Sequence, residues 1–155
     1  MNIEIFEKPA FAVIGREGST QDGPDFVGKL WAEANAHFNE VAHLAKLDEN
    51  GAFAGFWGAM TDFSRSFQPW EADFSRGLYL AGVECAEDAV APAGWTRWEI
   101  PGFVYLKAEC DAPDLFQNML RYLREQDREL VGAVQDFTDP ASGRNFMLFP
   151  IKRLN

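Results

Sequence analysis

The chain has 155 residues and 17.4 kDa, with 14 Lys and Arg against 24 Asp and Glu, a formal net charge of −10. That is one domain's worth of chain, and 47% hydrophobic with 25% charged residues excludes a disordered or collagen-like composition. The acidic balance, without a run of Lys and Arg, argues against direct nucleic-acid binding, which needs clustered cations to neutralise phosphates.

In chain order, Ile3 to Gly15 alternates and then runs apolar around Pro9, which predicts one long strand with a bulge or edge position at the proline. Gly18 to Pro24 is loop chemistry, and Asp25 is placed to cap a helix. Phe26, Leu30, Ala34 and Phe38, widened by Trp31, Val41 and Leu44, carry that helix to about Leu47, before Asn50-Gly51. Phe53 to Ala59 is apolar and broken by glycine, the pattern of a strand whose backbone another group approaches closely. Thr61 to Arg76 reads as a connection holding one helical turn, and Gly77 to Glu84 as the next strand.

The second half follows the same order. Trp95 to Ile100 and Phe103 to Ala108 form a strand pair punctuated by Pro101-Gly102, as Pro9 punctuates the first. Asp114 caps a helix with Leu115, Met119, Tyr122 and Leu123 on one stripe, ending near Asp127. Leu130 to Thr138 and Phe146 to Lys152 close the chain as strands around the turn sequence Asp139 to Gly143. The expected fold class is α+β: a tandem β-α-β-β repeat over a single 1–155 domain, half one about 1–90 and half two about 91–155. The curved antiparallel sheet carries its helices on one side, with a ligand groove at the pseudo-twofold junction.

The sequence holds five Trp, three Tyr and 14 Phe, more rings than a small core needs and so candidates for lining a cavity. Cys85 and Cys110 are too few and too far apart for a zinc site or a C-x-x-C motif, and are expected to be reduced thiols in a cytoplasmic protein. An acidic residue stands where a signal peptide would be basic, and no apolar run is long enough to span a bilayer, so no membrane association is expected. His37 and His43 lie six apart, not the spacing that aims two ligands at one metal. No nucleophile elbow, P-loop or dinucleotide fingerprint occurs, and no cofactor or metal is expected.

What remains is carboxylates beside rings. Glu84 ends a strand near Tyr79 and Trp57, and Asp136 lies inside the apolar stretch Ala133 to Phe137. Buried against aromatic faces, either acid pairs well with a ligand cation; the competing reading turns Asp136 to solvent or bonds it across the final turn. Tyr79 and Tyr105 beside a carboxylate are candidates for proton transfer.

Three stretches carry a family resemblance: Lys8 to Gly15, Trp98 to Tyr105 and Phe146 to Lys152. In this order they resemble the signature segments of the GyrI-like small-molecule-binding domains, related to the effector-binding domains of AraC- and MerR-type transcription regulators. The resemblance covers nearly the whole chain. It implies a tandem of two β-α-β-β units with a groove between them for hydrophobic, often cationic compounds, and a carboxylate of the penultimate strand facing that groove. Asp136 matches that position, where the family usually has Glu, one methylene longer. Some standalone members are hydrolases of cyclopropane-containing compounds, using an acid and a Tyr, and others engage a DNA topoisomerase. With a first strand beginning at Ile3, no helix-turn-helix is expected before the domain, and any link to transcription is expected to run through a partner.

The leading expectation is therefore a standalone binding domain for a hydrophobic or cationic small molecule, linked to multidrug sensing or transcription regulation. Its cleft is built from Trp57, Tyr79, Trp98, Tyr105 and Phe146, with Glu84 or Asp136 supplying charge. The alternatives are a hydrolase of strained (cyclopropane-containing) small molecules, with catalytic candidates Glu84, Tyr79 and Tyr105, and an acidic protein inhibitor of a DNA topoisomerase.

Overall fold

The computed structural model describes residues 2–154; Met1 and Asn155, the ends of the expected domain, lie outside the described residues. Eight strands form one antiparallel sheet: β1 (Ile3–Lys8), β2 (Phe11–Ser19), β3 (Phe56–Thr61), β4 (Leu78–Cys85), β5 (Thr96–Ile100), β6 (Phe103–Glu109), β7 (Gln135–Thr138) and β8 (Asn145–Arg153). Their spatial order is β1-β6-β8-β7-β3-β4-β2-β5. Exchanging β1–β4 with β5–β8 reverses that order onto itself, so the strands obey a pseudo-twofold whose axis falls between β3 and β7.

The stretch expected to be one bulged strand is two. Pro9 cannot donate to a ladder, and the chain switches there from β1, which pairs with β6, to β2, which pairs with β4 and β5. Pro101-Gly102 makes the same switch between β5 and β6. The first strand of each half thus completes the other half's side of the sheet. Both short connections span the sheet, which therefore curls to bring its ends toward each other, and a side chain on Gly102 would press on the backbone at Lys8 and Ala10.

Side-chain alternation then separates two surfaces. Inside the curl lie Phe11, Val13, Trp57, Leu80, Trp98, Ile100, Phe103, Tyr105 and Leu148. On the outer face α1 (Phe26–His37) packs Phe26 and Ala34 over β2 and β4, and α3 (Leu115–Glu125) packs Leu115, Met119 and Leu123 over β6 and β8. Burying a side chain of Leu or Phe size is worth roughly 1.5–3 kcal/mol; α3 has three anchors of about that size and α1 has Phe26, with the smaller Ala34 beside it. Neither helix covers the β3–β7 junction, and a groove is left between them.

Three expectations need correcting. The first helix stops at His37, ten residues short of Leu47, and two 3-10 turns (Phe38–Glu40 and Ala42–Leu44) follow. The apolar period continues because Phe38 packs on Phe53, Phe56 and Trp95, while Trp95 Nε1 donates to Glu40, contacts a straight helix would forgo. Asp25 and Asp114 stand at the N-cap positions, yet neither side chain accepts a capping hydrogen bond. Residues 130–134 are apolar without being a strand: the Val131 amide donates to Pro150 and the Ala133 amide to Phe67.

The long connection after β3 is a built segment. Buried Asp62 accepts from the hydroxyls of Thr61, Ser64 and Ser66 and from the Ser66 amide, and Phe67 N–H donates to Thr61 Oγ1. Arg65 clamps Glu17 with two bonds of 2.7 and 2.8 Å, and Trp98 Nε1 donates to the same carboxylate. The segment continues into α2 (Glu71–Phe74), a single turn whose Ala72, Asp73 and Phe74 take φ of 51, 58 and 64°. Left-handed backbone costs non-glycine residues roughly 1–2 kcal/mol each, so this turn stays formed only while its surroundings hold it.

A groove between the helices as candidate functional site

The floor of the groove is fixed by strand register. Gly58 of β3 lies opposite Asp136 of β7, and Asp136 opposite Met147 of β8; on the other side Met60 lies opposite Tyr79 of β4. Even positions of β3 and β7 and odd positions of β4 and β8 therefore share the outer face. A cavity of about 290 Å³ opens here, lined by Trp31 of α1, Phe56, Gly58, Tyr79, Asp136 and Phe146 among others.

Among the described residues the Asp136 side chain has one hydrogen-bond partner. The Tyr79 hydroxyl donates to its Oδ2 at 3.2 Å, and Trp31 Nε1–H donates to that hydroxyl at 3.0 Å. A methyl group on Gly58 would overlap the Tyr79 hydroxyl and touch Asp136 Cβ, so glycine here is a requirement of the Tyr–Asp contact. Burial disfavours the charged carboxylate and pushes Asp136 up to about 6, a rise that the Tyr79 hydrogen bond only partly opposes. Tyr79 is itself driven well above the ordinary phenol range, first by burial and then by the neighbouring carboxylate. Among the described residues no Lys, Arg or His forms an ion pair with Asp136, and none lines this cavity. An acid in apolar surroundings without a counter-charge is expensive to ionise, and a cationic ligand would remove that expense.

Of the residues singled out from the sequence, Asp136 and Tyr79 meet at this cavity; Phe146 borders it, but stands opposite Phe137 in register, and its ring lies on the inner side, 4.4 Å from the Lys107 ammonium. Trp57, Trp98 and Tyr105 lie inside the curl, on the opposite face, each no more than 5% exposed. Two polar atoms there, Trp57 Nε1 and Tyr105 Oη, have no hydrogen-bond partner among the described residues, and burial raises the Tyr105 phenol. Glu84 also faces the inner side, where Lys8 at 3.0 Å and Lys46 at 3.5 Å neutralise it; the Lys8 ammonium in turn sits 4.5 Å from the Phe11 ring centre and 5.7 Å from that of Trp57. The one-cleft arrangement of all seven residues is thus divided by the sheet itself. Trp31, Met60 and Met147 join the groove unforeseen. Both cysteines are free, Cys85 buried and Cys110 exposed at the rim of the Asp136 cavity. Among the described residues no three His, Cys, Asp or Glu cluster as a metal site, and no helix is long and apolar enough to cross a membrane.

No protein-family model matches the sequence, and no curated protein does. Solved structures do match. The structure of SAV2435 bound to tetraphenylphosphonium is similar with a TM-score of 0.65 at 14% identity, over 98% of this chain and 94% of that one. EcmrR, seen in a DNA complex, gives 0.66 at 11% identity over 99% of this chain, which spans only 58% of the EcmrR chain. A Staphylococcus aureus MU50 protein described as a candidate bacterial transcription regulator gives 0.58 at 13% identity, over 98% and 99%. The class defined by fold is therefore an α+β domain with a curved eight-stranded antiparallel sheet and an open groove between two helices. It is the architecture that the GyrI-like resemblance implies, and at these identities the likeness carries architecture alone.

Proposed function

We propose that the groove binds a hydrophobic organic cation, paired with Asp136 and surrounded by the rings of Trp31, Phe56 and Tyr79. The observation that carries this reading is the single carboxylate, bonded among the described residues only to Tyr79, in a cavity that no described basic side chain lines. Charge attraction strengthens as water is excluded, and aromatic faces add a quadrupole attraction to the same cation. A compact, strongly hydrated ion is a poor match, because one carboxylate cannot replace its hydration shell. Binding of tetraphenylphosphonium by the structurally similar SAV2435 supports the same chemistry.

Trp31 donates to Tyr79 at the cavity wall, so occupancy is expected to change its share of the emission of the five Trp, a share that Trp31→Phe would remove. Titration with a panel of lipophilic cations is expected to give saturable changes, and neutral or anionic compounds of matched size far weaker ones. A folded sample that responds to none of the cations, or equally to all three classes, would overturn the proposal.

A second reading rests on the same contact. Tyr79 and Asp136 place a tyrosine and an acid of raised pKa within hydrogen-bond distance, the pairing a hydrolase of strained compounds requires, whereas Glu84 is held by two lysines. Turnover of a cyclopropane-containing compound that disappears in both Asp136→Asn and Tyr79→Phe would favour it; turnover unaffected by both would exclude this pair.

A further inference from the structure

Beside the Asp136 cavity lies a second one of about 210 Å³ with almost wholly apolar walls: Met60, Trp70, Phe74, Phe116, Val134 and Met147. The two are joined by register. Met147 lines both and is the cross-strand neighbour of Asp136; Met60 is the cross-strand neighbour of Tyr79; Val134 precedes Asp136 by two residues on the same face. Directly opposite residues of an antiparallel pair stand about 5 Å apart, so the apolar cavity begins one side chain away from the carboxylate. Trp70 is a fixed wall, with its Nε1–H bonded to Leu78 O at 3.0 Å and its ring against Gly77. Phe74 is a different wall. It belongs to the left-handed turn α2 and meets Phe116 edge to face at 5.2 Å, closing the cavity from outside.

We infer that this second cavity is the tail site of an amphiphilic ligand: an organic cation whose charged head pairs with Asp136 and whose alkyl or aryl tail runs past Met147 and Met60 to lie beneath Phe74. The inference rests on the proposed cation site and adds to it the shape of the ligand. A compact cation fills the first cavity only and leaves the second empty. A cation with a tail fills both, and the exposed α2 turn, whose Phe74 meets the opposite wall at the Phe116 ring, is the element that opens to admit it.

The test is isothermal titration of the protein with n-alkyltrimethylammonium ions from tetramethyl to decyl, below their micelle concentrations, together with tetraphenylphosphonium. Affinity is expected to rise roughly fourfold per added methylene, the equivalent of ~0.8 kcal/mol for each buried CH₂, and to level off once the tail cavity is full. Phe74→Ala, on an exposed turn where folding is least at risk, and Val134→Phe, which fills the cavity, should each flatten that slope while leaving tetramethylammonium and tetraphenylphosphonium unchanged. Asp136→Asn should weaken every member of the series alike. A chain-length-independent affinity, or a slope retained in both cavity variants, overturns the tail site while leaving the cation site standing. Failure of every cation, tetraphenylphosphonium included, overturns the cation site and the tail site with it.

Discussion

Replacing Asp136 by Asn should make the empty protein more stable at neutral pH, because the carboxylate is held where burial disfavours its charge. Its pKa stands at about 6 against an ordinary value of 3.8, a difference of about two units. At 1.36 kcal/mol per unit this sets an upper limit of about 3 kcal/mol for the destabilisation that ionised Asp136 brings to the folded state. Between pH 3.8 and 6 the folded chain binds more protons than the unfolded one, so this group makes stability fall as pH rises through that window. Above about pH 6 the full penalty is present, and below about pH 4 it is gone. Urea denaturation of both proteins at pH 7.5 and pH 4 separates these limits: the Asp136→Asn protein should be the more stable at pH 7.5, by as much as about 3 kcal/mol, and the difference should shrink toward zero at pH 4. For a chain of this size each kcal/mol moves the midpoint of thermal unfolding by about 2–4 °C. An Asn variant less stable than wild type by the same amount at both pH values would refute the reasoning.

Affinity for a permanently charged cation should be constant above about pH 6.5 and fall about tenfold per pH unit below 6, as the Asp136 carboxylate protonates; calorimetry across pH 5–8 measures it. Asp62 predicts the opposite sign for stability. Burial opposes its charge, but the hydroxyls of Ser64, Ser66 and Thr61 and the Ser66 amide outweigh it and hold the carboxyl at about 2, below its usual 3.8. It therefore contributes about 2 kcal/mol that is present above pH 4 and lost as pH falls toward 2, and Asp62→Asn should show a loss of that order in denaturation at pH 7. Gly58→Ala should displace the Tyr79 hydroxyl, weaken cation binding at least tenfold and broaden the Trp31 response, whereas Gly143→Ala, in the open hairpin turn at φ 72°, should cost stability through its backbone alone and leave binding unchanged.

Much of the frame was legible in local chemistry. The prolines at 9 and 101, the turn at 139–143 and the acid embedded in the penultimate strand each announce themselves by residue type. The close approach expected at Phe53 to Ala59 is the Tyr79 hydroxyl lying over Gly58. What was not legible came from contacts between distant segments. Nothing near His37 breaks the helical period; the helix ends because Phe38 and Glu40 find Phe53, Phe56 and Trp95. The site was divided for a similar reason. Tyr79 and Leu80, adjacent in sequence, belong to opposite faces, so which rings share a cavity with Asp136 follows from strand register, and a single step places Trp57 inside the curl and Gly58 in the groove. Trp31 offered only a helical apolar position; its bond to Tyr79 spans 48 residues. The rings of the chain therefore serve three purposes: some fill the curl, others pack beneath the helices on the outer face, and a few line the groove.

The central claim is that Asp136 is the counter-charge for a cation. Calorimetric titration of tetraphenylphosphonium into wild type and Asp136→Asn at pH 7.5 tests it most directly. Saturable binding to wild type that weakens tenfold or more in the stably folded Asn variant is the predicted result, and equal affinity for both proteins would contradict it.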